Sequence, residues 1–438
     1  MIILQQNRGI LSASDQIMYH NPFYLTKSIV PLIGGVAPTL SRASTGTYVD
    51  SDGLIKTAAS NVMRFEHDPI TGECLGFLSE YTNTNLTRYS SDLVPNTGWA
   101  GNILTSQSGT GLDGNISYQL TESTGNGLQS LGNTGTTTGS SATSVTSGTI
   151  YTGSIFLKKI AGSVDWVQLT FGSTGFGTAQ YANFNISTGT LGNSSGSPIG
   201  APPIIKQYAN GWYRCSFTAT ATATVANTNN LIVSFTGNTD TTTRLPTYAG
   251  DTSNRFLATM AQFEALRYPS SYIRTTTAAS VRSADLHNVT PTNFAGTINL
   301  ASGTFLMDYI PQTSTQFGYI MSAGGDTTGH AFAKSNAAGT GIGDNWVARS
   351  SSVALLTTSG ASSRAKLAYS YKTDEFILSV NGSVVGTDTL GTGVSYGSVR
   401  IGTGVTASNV VNTHGIVRSF TLFRRNLSPD KLNALSAL

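Results

Sequence analysis

Two tryptophans lie among residues suited to holding a sugar. Trp166 opens the run Trp166-Val167-Gln168-Leu169-Thr170-Phe171, and Trp346 follows Gly343-Asp344-Asn345. The apolar face of a pyranose stacks on an indole, while neighbouring amides, carboxylates and hydroxyls take the sugar's OH groups. Trp166, Trp346, Asn345 and Asp344 are therefore the glycan-binding candidates. Val167, Leu169 and Phe171 alternate onto one face of a strand and leave the Trp166 indole on the other. Trp346 reads as a loop residue beside polar groups, next to the glycine-rich Gly339–Gly343. Trp212, in Gly211-Trp212-Tyr213-Arg214, reads as core, and Trp99, beside Gly98 and Gly101, as core or a plug at a domain edge.

No residue set announces a reaction. A glycosidase needs two carboxyls about 5–10 Å apart, and Glu73 with Glu80 or Asp374 with Glu375 are the nominees. The first pair falls in a turn-rich stretch, and Asp374-Glu375 reads as a hairpin tip. No nucleophile elbow at a strand-to-helix turn is read. The five histidines are scattered singly, and Cys74 and Cys215 read as free thiols. Asp50-Ser51-Asp52-Gly53 resembles the start of a calcium loop but lacks the downstream acidic ligand, so it reads as a turn. The expectation is a protein with no catalytic residues, no metal site and no cofactor, and not an enzyme.

The elements that must position these residues are sheets. Only 11% of the 438 residues are charged, while 48 are glycine. Exposed amphipathic helices normally carry Lys and Glu on the outer face, whereas β-branched, hydroxyl-rich, glycine-punctuated text suits strands and turns. The net charge of +3 and the absence of any basic block leave no footprint for nucleic acid. The N-terminus lacks the shape of a signal peptide, and Ser28–Leu40 is broken by Pro31, Gly34, Gly35 and Pro38, so neither Sec export nor membrane insertion is expected.

The fold class expected is all-β: two tandem jelly-roll-like β-sandwiches preceded by an extended N-terminal arm and a short β linker region. Residues 1–40 alternate apolar pieces with Gly and Pro and read as a docking arm, with Tyr19, Phe23, Tyr24 and Leu25 as the docking candidates. Residues 41–90 read as a β-hairpin linker with turns at Asp50–Gly53 and Asp68–Gly72. Residues 91–275 read as the first sandwich, where Phe217, Ala219, Ala221 and Ala223 alternate with threonines. A linker over 276–290 leads to a second sandwich over 291–438. There Asn381-Gly382 marks a hairpin, and Ser428-Pro429 starts a short closing helix.

Five strings fall in a recognisable order: Ser41–Leu86 (SRASTGTYVDSDGLIKTAASNVMRFEHDPITGECLGFLSEYTNTNL), Asn210–Thr220, Ala261–Thr275, Val281–Leu286 and Phe423–Leu435. Together they resemble a group of bacteriophage tail or tail-fibre structural proteins, over roughly residues 41–438. In that group a carbohydrate-binding-module-like jelly roll precedes a concanavalin/laminin-G-like sandwich. The resemblance implies a non-enzymatic virion component, located in the particle after synthesis in the host cytoplasm. It implies a homo-oligomer, a trimer by analogy, that attaches through residues 1–40 to other virion proteins and presents its sandwiches to host-surface glycan. The alternatives are a connector or decoration protein without a ligand, and a depolymerase of capsule or glycan.

Overall fold

The computed structural model describes residues 17–34, 36–94, 98–133, 143–198, 201–290, 302–312, 318–324, 330–335, 345–350, 353–356, 364–391, 398–402 and 414–438. Asp344, residues 1–16 and the glycine-rich stretch before Asp344 lie outside the described residues. The chain is all-β, and every strand pairing among the described residues is antiparallel. Its largest helix among the described residues is Pro429–Ser436.

The first sandwich is two six-stranded sheets. One runs Ile204–Tyr208, Trp212–Thr220, Ile150–Ala161, Arg255–Glu264, Ile116–Thr121, Leu104–Thr110; the other runs Thr190–Ser195, Tyr181–Asn185, Trp166–Thr170, Ile232–Phe235, Ser130–Asn133, Trp99–Gly101. The period-two pattern dictates what lies between them. Val167, Leu169 and Phe171 from one sheet meet Phe217, Ala219 and Phe263 from the other in one buried cluster. The Phe171 ring centroid is 5.1 Å from those of Phe217 and Phe263. Gly153 makes room for this contact: a Cβ there would sit 2.6 Å from Phe171 Cε1.

The second sandwich is assembled from both ends of the chain. One sheet runs Ser383–Asp388, Glu375–Val380, Ala365–Lys372, Gly303–Pro311, Gly415–Phe423, and then Cys74–Ser79 with Phe65–His67. Ile17–Asn21 pairs the far half of Gly415–Phe423, beside Cys74–Ser79. The opposing sheet runs Thr39–Ser41, Leu286–Val289, Val399–Ile401, Gly318–Ala323, His330–Ser335, Asn345–Ser350, Val353–Leu356. The first sandwich is thus an insertion within the second. Its incoming and outgoing connections, Asn83–Asn85 and Ser280–Arg282, pair as a two-stranded ribbon.

This arrangement corrects two expectations. Residues 17–41 are not a free docking arm, and residues 41–90 are not a linker; both supply strands to the second sandwich. Tyr19 and Phe23 are fully buried in its core with Phe77, Phe305 and Phe420. Phe23 packs 6.0 Å from Phe77 and 5.5 Å from the His287 ring. The docking candidates therefore divide: Tyr19 and Phe23 are core, Tyr24 is half-buried under the Arg418 guanidinium, and Leu25 is exposed. The segment lacks a sheet period because one short strand, a helical turn at Phe23–Thr26 and an extended run follow within it.

The turns form where turn chemistry places them. Gly53 and Gly72 take φ of +72° and +69°, and Asn381 and Gly382 take +49° and +88° at the hairpin between Glu375–Val380 and Ser383–Asp388. Ser428 stands at the N-cap and Pro429 at the first helical position, though the Ser428 side chain makes no cap hydrogen bond.

Phe23→Ala discriminates a core residue from a docking residue. It is expected to cost about 3–5 kcal/mol in urea denaturation of the isolated protein. An effect near zero would return Phe23 to a docking role.

Candidate functional site

Where the two sandwiches meet, five ionic side chains are buried together. Arg42 follows the edge strand Thr39–Ser41, Arg64 precedes Phe65–His67, Glu80 follows Cys74–Ser79, and Arg282 and Asp285 lie on the outgoing connection. Arg42 Nη1 donates to Asp285 Oδ1 at 2.7 Å, and Arg64 Nη2 donates to Asp285 Oδ2. Arg64 Nη1 donates to Glu80 Oε2 at 2.7 Å, and Arg282 Nη1 donates to the same oxygen. Ser271, from the end of the first sandwich, donates its N–H to Glu80 Oε1 at 2.8 Å and its hydroxyl to Glu80 Oε2 at 2.6 Å. His414 Nδ1, at the start of the last strand, lies 3.3 Å from Glu80 Oε1. The guanidiniums also hold backbone: Arg42 Nη2 donates to Ala59 O and Val62 O, Arg64 Nη1 to Thr47 O, and Arg282 Nη2 to Tyr81 O.

Burial favours protonation of Glu80, but the Arg282 and Arg64 guanidiniums and His414 hold its carboxyl well below the usual range. Burial keeps the His414 imidazole below its ordinary value, against the opposing pull of Glu80. Glu80 is saturated with donors on both oxygens, so it is a scaffold carboxylate with no lone pair left for nucleophilic or base work.

Above this cluster a cavity of about 250 Å³ opens between the sandwiches. The hairpin Gly46–Val49 with Ile55–Ala58 forms one wall, and the edge strand Ile204–Tyr208 with Trp212–Thr220 forms another. Ser270–Tyr272 and the Gln312–His414 end of the second sandwich complete it. Tyr48, Phe156, Tyr208, Tyr268 and Tyr272 supply aromatic surface, and Glu66, Lys206 and Arg214 supply charge. Glu66 accepts a hydrogen bond from Val49 N at 3.0 Å through Oε2. Burial pushes its carboxyl up to about 7, although Lys206 and the Val49 N–H pull the other way. Lys206 lies over the Tyr208 ring, 5.5 Å from its centroid. Tyr208, and then Glu66 and Asp68, hold its ammonium above the ordinary value against burial and the repulsion of Arg214. Arg214 donates to Ser154 Oγ at 3.0 Å and lies over Phe156, but its buried Nε has no hydrogen-bond partner.

The sequence-derived sugar candidates are not brought together. Trp166 begins its strand half-buried on the outer face, as the alternation predicts. Its indole lies over Gly192, where a Cβ would sit 2.5 Å from Cζ3, beside the Asp240 carboxylate. That carboxylate accepts from Asn193 N at 2.7 Å and Asn183 Nδ2 at 2.9 Å. Asn345 and Trp346 open the strand Asn345–Ser350 in the second sandwich, which corrects the expectation of a loop; Trp346 sits opposite Lys334. Trp99 and Trp212 are buried in separate clusters.

The carboxyl nominees have other surroundings. Glu73 is exposed and reaches Arg418, while Glu80 is in the ionic cluster. Asp374 takes φ of +56° at a turn, and Glu375 pairs with Lys372. The letters Gly-x-Ser-x-Gly occur at Gly192–Gly196, but along the strand Thr190–Ser195, with no strand-to-helix turn. They recur at Gly393–Gly397, outside the described residues. Cys74 and Cys215 are buried free thiols. Among the described residues no cluster of three His, Cys, Asp or Glu side chains is placed to hold a metal ion. Sequence reading missed the cavity because its walls come from widely separated segments. The arginines and carboxylates of the ionic cluster stand among other charged residues of the same strings, so nothing local marked them out.

Two measurements follow. Asp285→Ala leaves Arg42 and Arg64 buried without their shared carboxylate, and is expected to cost about 3–5 kcal/mol in urea denaturation. Glu66 gives a pH signature. Its folded-state value lies above the ordinary 4.5, so its stabilising contribution is complete below about pH 4.5 and is lost as pH rises through about 7. Glu66→Gln should match the parent in thermal stability at pH 4 and exceed it at pH 8 by roughly 1–3 kcal/mol. A difference independent of pH would contradict this.

No family model matches the chain, and no curated protein matches it. Among solved structures, the CBM40 domain of a Ruminococcus gnavus IT-sialidase bound to alpha2,6 sialyllactose aligns at 17% identity, covering 32% of this chain and 84% of that one, with a TM-score of 0.27. The heptameric SAP-like pentraxin of Limulus polyphemus aligns at 13% identity over 32% of this chain and 70% of that one, with a TM-score of 0.26. A botulinum neurotoxin type C structure, described as interacting with two ganglioside molecules in cell entry, aligns at 11% identity over 35% of this chain and 39% of that one, with a TM-score of 0.28. Likenesses of this size carry no functional argument.

Proposed function

We propose that this chain is a glycan-binding structural protein of a bacteriophage particle, a fibre or spike-like adhesin without catalytic activity. The observation that carries the glycan reading is the cavity between the sandwiches. Tyr48, Tyr208 and Tyr272 line it beside the hydrogen-bonding groups of Glu66, Lys206 and Arg214. That is the mixture a sugar needs: flat apolar surface for ring faces, with polar groups for hydroxyls. At about 250 Å³, the space is below the ~300–1,000 Å³ of drug-sized sites, so it suits one sugar residue at a chain end. The saturation of Glu80 favours binding over hydrolysis.

The particle setting rests on the quoted strings, which supply all five members of the ionic cluster: Arg42, Arg64, Glu80, Arg282 and Asp285. Attachment is assigned to the exposed apolar side chains Leu25, Val30, Leu32 and Val36, since Tyr19 and Phe23 are committed to the core.

A glycan array followed by titration of the strongest hits tests this reading. Ile204 stands at the cavity rim and is 39% exposed, so Ile204→Trp should narrow the mouth without a loss of thermal stability. It is expected to weaken binding at least tenfold, whereas Trp166→Ala leaves it unchanged. Loss of binding only in Trp166→Ala would move the site to the outer sheet. Binding of no glycan by the parent would leave the connector reading, and new reducing ends from capsule or lipopolysaccharide would make the chain an enzyme.

A further inference from the structure

Lys206 and Arg214 occupy an unusual position relative to each other. They are direct partners in the antiparallel pair Ile204–Tyr208 with Trp212–Thr220, and both line the cavity. Directly opposed side chains on neighbouring strands have Cβ atoms about 4.5–5.5 Å apart, and like charges in that relation destabilise the sheet. Glu66 and Asp68 attract the Lys206 ammonium, and Arg214 attracts Glu264, without closing an ion pair. Neither cation makes an ion pair among the described residues, and the Lys206 ammonium has only the Tyr208 ring against it.

The carboxyls facing the pair have other commitments. Glu66 is tied to Val49 N through one oxygen. Glu264 accepts from Asn83 Nδ2 and from Ser270 N and Oγ. Asp68 accepts from Ile70 N and Thr71 N in its own turn. Glu80 is held by Arg64, Arg282 and Ser271. Two adjacent cations, one with an orphaned Nε, therefore line a sugar-sized space that Glu66 lines as well, its Oε2 held by Val49 N.

We propose that the cavity is a site for an acidic monosaccharide, a hydroxylated ring bearing one carboxylate, with the carboxylate seated between Lys206 and Arg214 and a ring hydroxyl donating to Glu66. This rests on the glycan reading above and adds the ligand's charge. The anion replaces a repulsion between two cations with two charge-assisted hydrogen bonds, which are stronger than neutral ones. Free sugar acids and acidic residues at the end of a polysaccharide share this chemistry.

Calorimetric titration of the full chain with glucuronate, galacturonate, glucose, galactose and glucose 6-phosphate separates the outcomes. The uronates are expected to bind at least tenfold tighter than the neutral sugars. An acidic oligosaccharide ending in a uronate is expected to match the free acid if a chain terminus is the source. Lys206→Met should lower uronate affinity at least tenfold and bring it level with that of the neutral sugars in the same variant, while the unliganded variant keeps a cooperative thermal transition. Neutral sugars binding as tightly as uronates in the parent would overturn the acidic ligand and leave the glycan reading standing. Tighter binding of the phosphorylated sugar than of either uronate would overturn the carboxylate assignment. Uronate binding unchanged in Lys206→Met would overturn the seat, and failure of every sugar to bind would overturn both readings.

Discussion

The joint between the sandwiches depends on three guanidiniums being buried against two carboxylates. Placing Arg42, Arg64 and Arg282 out of water is costly unless each is paired and hydrogen-bonded. Glu80 and Asp285 supply the pairing, and carbonyls from Thr47, Ala59, Val62 and Tyr81 take further donors, while the Arg64 and Arg282 Nε–H groups have no partner among the described residues. The cluster acts as a specificity device more than as a source of net stability. Each charge is satisfied only when the two edges of the second sandwich, the outgoing connection and the end of the first sandwich stand in one arrangement. A joint made only of apolar contacts would tolerate sliding; this one does not, because any displacement leaves a buried ion unpaired.

That constraint explains the cavity above it. A cluster with fixed geometry holds the Gly46–Val49 hairpin at a set distance from the edge strand Ile204–Tyr208. Val49 and Ile55 meet Phe156, Tyr208 and Trp212 there in a small core of their own. The space left between the hairpin and the strand is a preformed recess, so an occupant would not have to order its walls on arrival. The same rigidity places Glu66 in a site dry enough to raise its pKa while Glu80, with cations on every side, stays ionised. The two carboxyls differ because one has guanidiniums for neighbours and the other has mainly burial.

Local features were legible in the sequence and distant ones were not. The alternation of Val167, Leu169 and Phe171 predicted a buried face and its opposite, and Asn381-Gly382 predicted a hairpin, because each signal lies within a few residues of its effect. The all-β class followed from composition for the same reason. The pairing of Ile17–Asn21 with Gly415–Phe423 has no local signature. His20 Nδ1 lies 2.9 Å from Thr421 Oγ1 across 401 residues, and nothing near His20 indicates that partner. An apolar, aperiodic beginning looked like surface awaiting another protein, whereas its partner was the far end of the same chain. The cavity was hidden for a related reason: Glu66 lies far along the chain from Lys206 and Arg214, and only the insertion topology makes them neighbours.

The insertion also sets an order on biosynthesis. The first sandwich is contiguous in sequence and can close while the ribosome is still working, since domains generally fold as units during translation. The opening strand cannot pair until the last one emerges. At about 5–20 residues per second the wait is roughly 20–80 s, during which Tyr19 and Phe23 remain wetted and available for wrong pairings. A nascent chain of this design has reason to recruit a holding chaperone at its front end, and truncation by a late stop codon would strand a finished inner module between two unclosed sheets.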